Sequence, residues 1–259
     1  MLILWCCGGI YSATAQVSPQ SQDGKAVLWA VLQADISLSK QWNSSTIFGY
    51  SRRSFIGNFA AYENFGLWCL RQEFARPLSK RFRITLGAFY SQIGTAGDES
   101  SESHYLHEIR FYPKLYYDLT FGRSVLTFQF RTDLRYFFPD VRTTEASYYQ
   151  SRQRLSAQIT APLSPDKRRI LVLNSELLAS ADYAETDDGR FGWRPYRFRD
   201  VRLRAFFRVQ TGRNVWLDFG HMTQLRLPFA TAKEKLWSGY LAVGLLVKNP
   251  FTKHKQKAE

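Results

Sequence analysis

The sequence predicts an all-β chain: a closed antiparallel transmembrane β-barrel of ten to twelve strands, with short periplasmic turns and longer extracellular loops. Three observations predict it. Apolar and polar side chains alternate with period two along nearly every segment after the N-terminal region, the pattern of a strand with one apolar and one polar face. The connections between these segments are short and long in turn, as in outer-membrane barrels. The chain also opens on an uncharged apolar stretch of the kind that marks export.

Composition sets the outer bounds. The chain has 259 residues, 35 Lys+Arg against 22 Asp+Glu, a formal charge of +13, and 20 Phe, 14 Tyr and 7 Trp. So apolar and aromatic a chain is not intrinsically disordered. No stretch reaches the run of about eighteen apolar residues that a spanning helix needs. Three cysteines are too few for a disulfide-stapled module.

Residues 1–15 read as a signal peptide. Leu2-Ile3-Leu4-Trp5-Cys6-Cys7 begins an apolar core, and Ala13-Thr14-Ala15 fits small-x-small cleavage before Gln16. The one departure is that no Lys or Arg precedes the apolar run. Cys6 and Cys7 leave with the signal, and Trp5 before Cys6 spoils a lipoprotein box. Cys69 then stands alone and reads as a small apolar side chain.

Eleven alternating segments follow, at roughly 26–38, 42–52, 62–75, 80–92, 104–119, 123–137, 147–161, 168–181, 196–210, 213–226 and 235–248. In the fourth, Phe82, Ile84, Leu86 and Ala88 oppose Arg81, Arg83, Thr85 and Gly87. In the sixth, Phe128, Phe130, Thr132, Leu134 and Tyr136 oppose Gln129, Arg131, Asp133 and Arg135. In the seventh, Gln150, Arg152, Arg154, Ser156, Gln158 and Thr160 oppose Leu155, Ala157 and Ile159. In the ninth, Val201, Leu203, Ala205, Phe207 and Val209 oppose Arg202, Arg204, Phe206, Arg208 and Gln210. In the tenth, Val215, Leu217, Phe219 and Leu225 oppose Asp218, Gln224 and Arg226. These segments are longer than the five or six residues usual for a soluble strand and match the nine to eleven needed across a bilayer.

Short connections fall at Ser39-Lys40-Gln41, Arg76 to Ser79, Thr120-Phe121-Gly122, Pro162 to Lys167 and Thr211-Gly212. Long ones run from Arg53 to Ala61, Ile93 to Ser103, Pro139 to Ala146, Asp182 to Pro195 and Pro228 to Glu234. The domain therefore spans 16–248, and 249–259 is a basic tail. Aromatics at Trp42, Tyr62, Tyr116-Tyr117, Tyr136-Phe137-Phe138, Tyr148-Tyr149, Tyr196, Trp216 and Trp237 suit girdles at two membrane interfaces. A soluble exported sandwich is the alternative, because the alternation alone does not say which face is inside. Bacterial single-chain barrels have even strand counts. The segments from 42 to 248 make ten strands, and 26–38 either closes a twelve-stranded barrel with residues upstream or lies elsewhere; twelve is favoured.

Glu108-Ile109-Arg110-Phe111, the run Phe130-Arg131-Thr132-Asp133-Leu134-Arg135-Tyr136, Arg152-Gln153-Arg154-Leu155, Glu176 and Leu217-Asp218-Phe219-Gly220-His221-Met222 together resemble an uncharacterised family of bacterial outer-membrane barrels common in Bacteroidetes, domain of unknown function 2490. The resemblance covers nearly all of the mature chain. It implies an outer-membrane barrel and carries no established activity, catalytic residue or cofactor.

With the apolar face toward lipid, the charged face lines the lumen. The expected lumen network is Arg81, Arg83, Glu108, Arg110, Arg131, Asp133, Arg135, Arg152, Arg154, Glu176, Arg202, Arg204, Arg208, Asp218 and Arg226. Arginine far exceeds carboxylate in this set. Either the groups pair off and fill a narrow barrel, or surplus arginine favours anionic solutes in a small channel or binding cavity. A third reading, an outer-membrane lipid hydrolase, needs a serine activated by histidine. His104 and His221 are not followed by the His-x-Ser pattern sought, and His107 lies beside Glu108. No catalytic, cofactor or metal constellation is expected. The arginines are spread over many strands, which speaks against a nucleic-acid groove. The partners expected are outer-membrane lipid, the barrel-assembly machinery and small anionic solutes. N-terminal sequencing of exported protein should begin at Gln16, and an intact Met1 on exported chain would contradict the signal-peptide reading.

Overall fold

Period-two alternation becomes strand along every segment that carries it. A computed structural model describes residues 24–54, 64–94, 105–139, 148–185, 191–227 and 236–250. The strands are β1 (Gly24–Ser37), β2 (Asn43–Arg53), β3 (Asn64–Pro77), β4 (Phe82–Gly94), β5 (Tyr105–Phe121), β6 (Ser124–Pro139), β7 (Tyr148–Pro162), β8 (Arg169–Glu185), β9 (Phe191–Trp193), β10 (Arg197–Gln210), β11 (Val215–Arg226) and β12 (Leu236–Lys248). The expected signal at 1–15, the interiors of the long loops and tail residues 251–259 lie outside the described residues.

Neighbours in sequence pair antiparallel from β1 to β8. β8 then pairs with β10, and the sheet runs on through β11 and β12. Closure is a parallel pair of β1 with β12, from Gly24 opposite Trp237 to Asp35 opposite Lys248. Eleven strands thus close the barrel. The three-residue β9 lies outside the ring, on the edge of β8 beyond β10, where Tyr183 faces Trp193. Two expectations are corrected here. The even strand count is not kept, and the ladder is not antiparallel throughout. With an odd number of up-and-down strands the first and last run the same way, so they meet in parallel. No upstream strand is needed: β1 is the eleventh stave. The odd count also places Gly24 at the long-loop mouth and Lys248 at the short-turn mouth.

The seam is fastened at its end by Asn249. This residue sits in the left-handed region at φ 46°. Its backbone N donates to the Asp35 carbonyl at 2.6 Å, and its Oδ1 accepts from the Ser37 N–H at 2.8 Å. The other tight turns use Gly122 (φ 57°) and Lys167 (φ 58°). In the turn before β8, the Asp166 carboxylate is held below its ordinary pKa by the Ser164 hydroxyl and the Arg168 amide.

The burial pattern decides which face is inside. Leu28, Leu32, Phe48, Leu70, Leu86, Phe111, Leu115, Phe130, Leu134, Leu155, Leu203 and Leu241 are exposed on the outer wall, while charged residues are buried within. A belt of aromatic rings in contact runs along the outer wall from β2 to β9: Phe48, Trp68, Tyr90, His107, Phe138, Tyr136, Tyr149, Tyr183 and Trp193. Trp42 under Arg76, and Phe82 against Tyr117, mark the short-turn end. From His107 to Tyr117 along β5, ten residues at about 3.4 Å each and a tilt of about 40° give about 25 Å. The outward residues between them are Ile109, Phe111, Pro113 and Leu115. Polar groups on the outer wall satisfy one another: Thr46 and Ser44 with Gln72, and Thr132 with Gln153, which donates to Tyr196.

One close approach locks the inner wall. A Cβ at Gly87 of β4 would lie 2.2 Å from the Tyr112 ring. The absent side chain lets Tyr112 of β5 lie across β4 and donate its hydroxyl to Glu73 Oε1 of β3 at 2.7 Å. Gly87→Val should dislodge Tyr112 and lower stability by about 1–3 kcal/mol, read as an earlier urea midpoint. An unchanged midpoint would contradict this packing.

A charged lumen as the candidate functional site

The inward positions of β3 to β11 carry most of the ionisable groups, and the barrel brings them into clusters. At the centre, Asp133 on β6 is fully buried, at 0 % exposure. It is paired with Arg131 of its own strand at 2.5 Å and Arg154 of β7 at 2.7 Å. Arg154 continues to Glu176 on β8 at 3.5 Å, and Glu176 also meets Arg202 (3.5 Å) and Arg204 (2.7 Å) of β10. Toward the long loops, Glu108 of β5 holds Arg110 at 2.6 Å and Arg135 of β6 at 2.5 Å. Arg135 donates on to Gln150, which donates to Asp182 at 2.7 Å. At the same end Asp200 lies 3.5 Å from Arg202 and 3.7 Å from Arg226. Toward the short turns, Arg208 forks onto Asp218 with two bonds of 2.7 Å.

Fourteen of the fifteen residues expected in the lumen therefore sit on inward strand positions. Arg81 does not. It lies exposed in the turn between β3 and β4, one residue before the strand begins. Arg83 and Arg152 point inward but form no ion pair among the described residues. The Arg83 guanidinium lies over the Tyr116 ring at 4.3 Å with its Nε buried and unpartnered. Arg152 donates only to Gln150 Oε1, at 3.2 Å, and its Nε is likewise unpartnered. The strongest charges acting on Arg152 are those of Arg135, Arg154, Arg202 and Arg110, and Asp133 stands opposite it in the β6–β7 register.

Several members of the network were not expected. Glu73 on β3 accepts from Lys114 at 2.7 Å and Tyr112 at 2.7 Å, and lies 3.1 Å from Arg71. Asp182 pairs with Arg199 at 2.6 Å. Arg199 reaches the lumen because the β8–β10 register shifts between Phe198 and Asp200, and such a bulge turns two successive side chains to one side. Extending the parity of Glu108 and Arg110 to Tyr112 and Lys114, or of Arg202 to Asp200, would have found three of them. The bulged Arg199 has no such signal.

The aromatic residues also divide differently from expectation. Tyr116, Phe137, Tyr148 and Trp216 occupy inward positions rather than an outer girdle. Inside, aromatic faces lie against cations: Arg131 over Tyr112 at 3.6 Å, Arg110 over Phe89 at 4.2 Å, Arg135 over Phe137 at 4.4 Å and Lys248 over Trp216 at 5.2 Å. A guanidinium so stacked keeps its edges free for carboxylates.

His107, the residue on which a hydrolase reading rested, belongs to the outer aromatic belt. Its Nδ1 lies 2.8 Å from the Tyr90 hydroxyl, and its ring stacks on Phe138. His221 also points outward, beside Thr223. Among the described residues neither has a serine or carboxylate partner, and His104 lies outside them.

At the short-turn mouth the lumen opens into a cavity of about 380 Å³ that reaches inward to Glu73 and Thr85.

Fold and site together define a closed β-barrel with an apolar exterior and an ionic interior. The chain belongs to the DUF2490 family of proteins of unknown function, whose model matches residues 26–234 and so stops just short of the closing strand β12. No curated protein matches it.

Removing a buried acid leaves its arginines without a counter-charge, which costs about 3–5 kcal/mol. Asp133→Ala should destabilise the barrel by that order, whereas Asp166→Ala in the exposed turn should leave the unfolding midpoint nearly unmoved. Equal effects in chemical unfolding would show that the lumen pairs do not hold the wall.

Proposed function

We propose that the protein is an integral bacterial outer-membrane barrel whose cationic lumen admits and holds small anionic solutes. Its membrane placement is supported by the outer wall: an apolar band about 25 Å tall between aromatic rims, with its few polar side chains hydrogen-bonded among themselves. A bilayer demands a backbone with no unpaired edge, and a closed barrel satisfies that demand. The apolar N-terminal stretch adds an export route. Lipid on the outer wall and the barrel-assembly machinery are the partners such a protein requires.

The observation that carries the anion reading is Arg152. Glu73, Glu108, Asp133, Glu176, Asp182, Asp200 and Asp218 each have at least one cationic partner. Arg152 has no ion pair among the described residues: the strongest charges acting on it are those of other arginines, and Asp133, opposite it in register, is already held by Arg131 and Arg154. A guanidinium enclosed this way is stabilised by an anion drawn in from solution, and rings of Arg favour anionic solutes in pores. A second reading is supported by the burial of Asp133 and Glu108, at 0 % and 1 % exposure. So filled a centre suits a closed barrel that acts through its extracellular loops.

Planar-bilayer recording separates the two. The anion reading gives a small conductance whose reversal potential in a salt gradient favours chloride, and Arg152→Gln reduces that preference. Cation preference contradicts it. Absence of any conductance in protein that shows heat-modifiable migration leaves the closed barrel.

A further inference from the structure

We infer that the cavity at the short-turn mouth is a binding site for a small, polar organic solute carrying an oxyanion head, a carboxylate or a phosphate. The inference rests on the reading of the lumen as anion-accepting, and it names one place and one residue. The cavity measures about 380 Å³, within the range of small-molecule sites. It lies between β12, β1, β2, β3, β4 and β5. Its wall is chiefly hydroxyl, amide and charge, with Ser45, Asn43 and Gln33 on one side and Arg83 on the other. Such a wall suits a hydrated, polar ligand and not an acyl chain.

Charge sets the sign of the ligand. Glu73 at the inner end is already neutralised by Lys114 and Arg71. Asp35 accepts from Gln33 at 2.9 Å and stands opposite Lys248 across the parallel seam. That leaves Arg83 without any acid. Its guanidinium lies flat on Tyr116, and its Nε is shielded from solvent without a hydrogen-bond acceptor. Stacking on Tyr116 fixes the plane of a fork that lines the cavity, and a guanidinium so held can receive two oxygens of one carboxylate or phosphate. Lys248, over Trp216, offsets Asp35 on the facing wall, so Arg83 is the lining cation left for the ligand. The floor is closed by the buried Thr85 and Glu73, so a ligand enters and leaves by the short-turn mouth.

Isothermal titration of the full-length, detergent-folded protein with inorganic phosphate, gluconate and glucose tests this. Saturable binding of phosphate or gluconate, with no binding of glucose, is expected, and which of the two binds identifies the head group. Arg83→Gln should weaken binding by about ten-fold or more, the order expected for loss of a charge-assisted contact. Arg83→Lys should recover part of it. Arg168→Gln, in the exposed turn before β8, should leave it unchanged. All variants are first checked for heat-modifiable migration. Binding that survives Arg83→Gln, or glucose binding as well as gluconate, overturns the site. No saturable binding of either anion also overturns it, while anion-selective conductance of the same preparation would leave the lumen reading standing.

Discussion

The rest of the structure depends on the enclosure of charge inside a sheet with no edge. An apolar outer wall leaves the ionisable residues of each strand only the interior, where an unpaired charge is costly. The acids answer this by bridging strands. Asp133 ties β6 to β7, Glu176 ties β8 to β7 and β10, Glu108 ties β5 to β6, and Glu73 reaches past β4 to β5. The pairing therefore acts as a second ladder, made of side chains, on the inner surface of the hydrogen-bonded one. It explains how long strands hold register where the alternation alone would tolerate a shift of two.

This side-chain ladder does not run all the way round. Where β12, β1 and β2 meet, the inner surface above the short-turn cavity is chiefly apolar, with Val27, Ile47, Ala242 and Leu246 buried. That arc contains the single parallel pair, whose slanted bonds are slightly weaker per residue. Small and aliphatic side chains on both faces allow it to close: Val31 packs beside Gly244, and Trp29 lies over Gly49. One side of the lumen is thus a hydrophobic seam and the other an ionic wall, and the short-turn cavity opens where the two adjoin.

Period two reaches far in such a chain. Each of the eleven alternating segments is a strand, and the inward faces of β7, β10 and β11 follow the parity of Arg152, Arg202 and Asp218. The limits have physical causes. Strand parity depends on whether the last pair is parallel, a long-range property that no local pattern carries. β9 is three residues long, too short for any periodicity. Arg81 shares the parity of Arg83 but falls where the chain turns, since alternation does not mark its own end. Arg199 enters the lumen through a register shift. Dividing aromatics to lipid and arginine to lumen overlooked Tyr112, Phe89 and Phe137, which lie inside because a cation needs a face to rest on as well as an acid to pair with. Part of the chain's basic charge is thereby enclosed in the barrel, where most acids are paired and Arg83 and Arg152 form no ion pair among the described residues.

The claim that unmatched arginine draws anions into the barrel is open to direct sight. Crystals grown in bromide and measured at the bromine absorption edge would place halide by anomalous scattering. The account predicts bromide within contact distance of the Arg152 guanidinium, enclosed by Arg135 and Arg202. A lumen with no halide at Arg152, or one in which rubidium in place of sodium occupies that space, would contradict it.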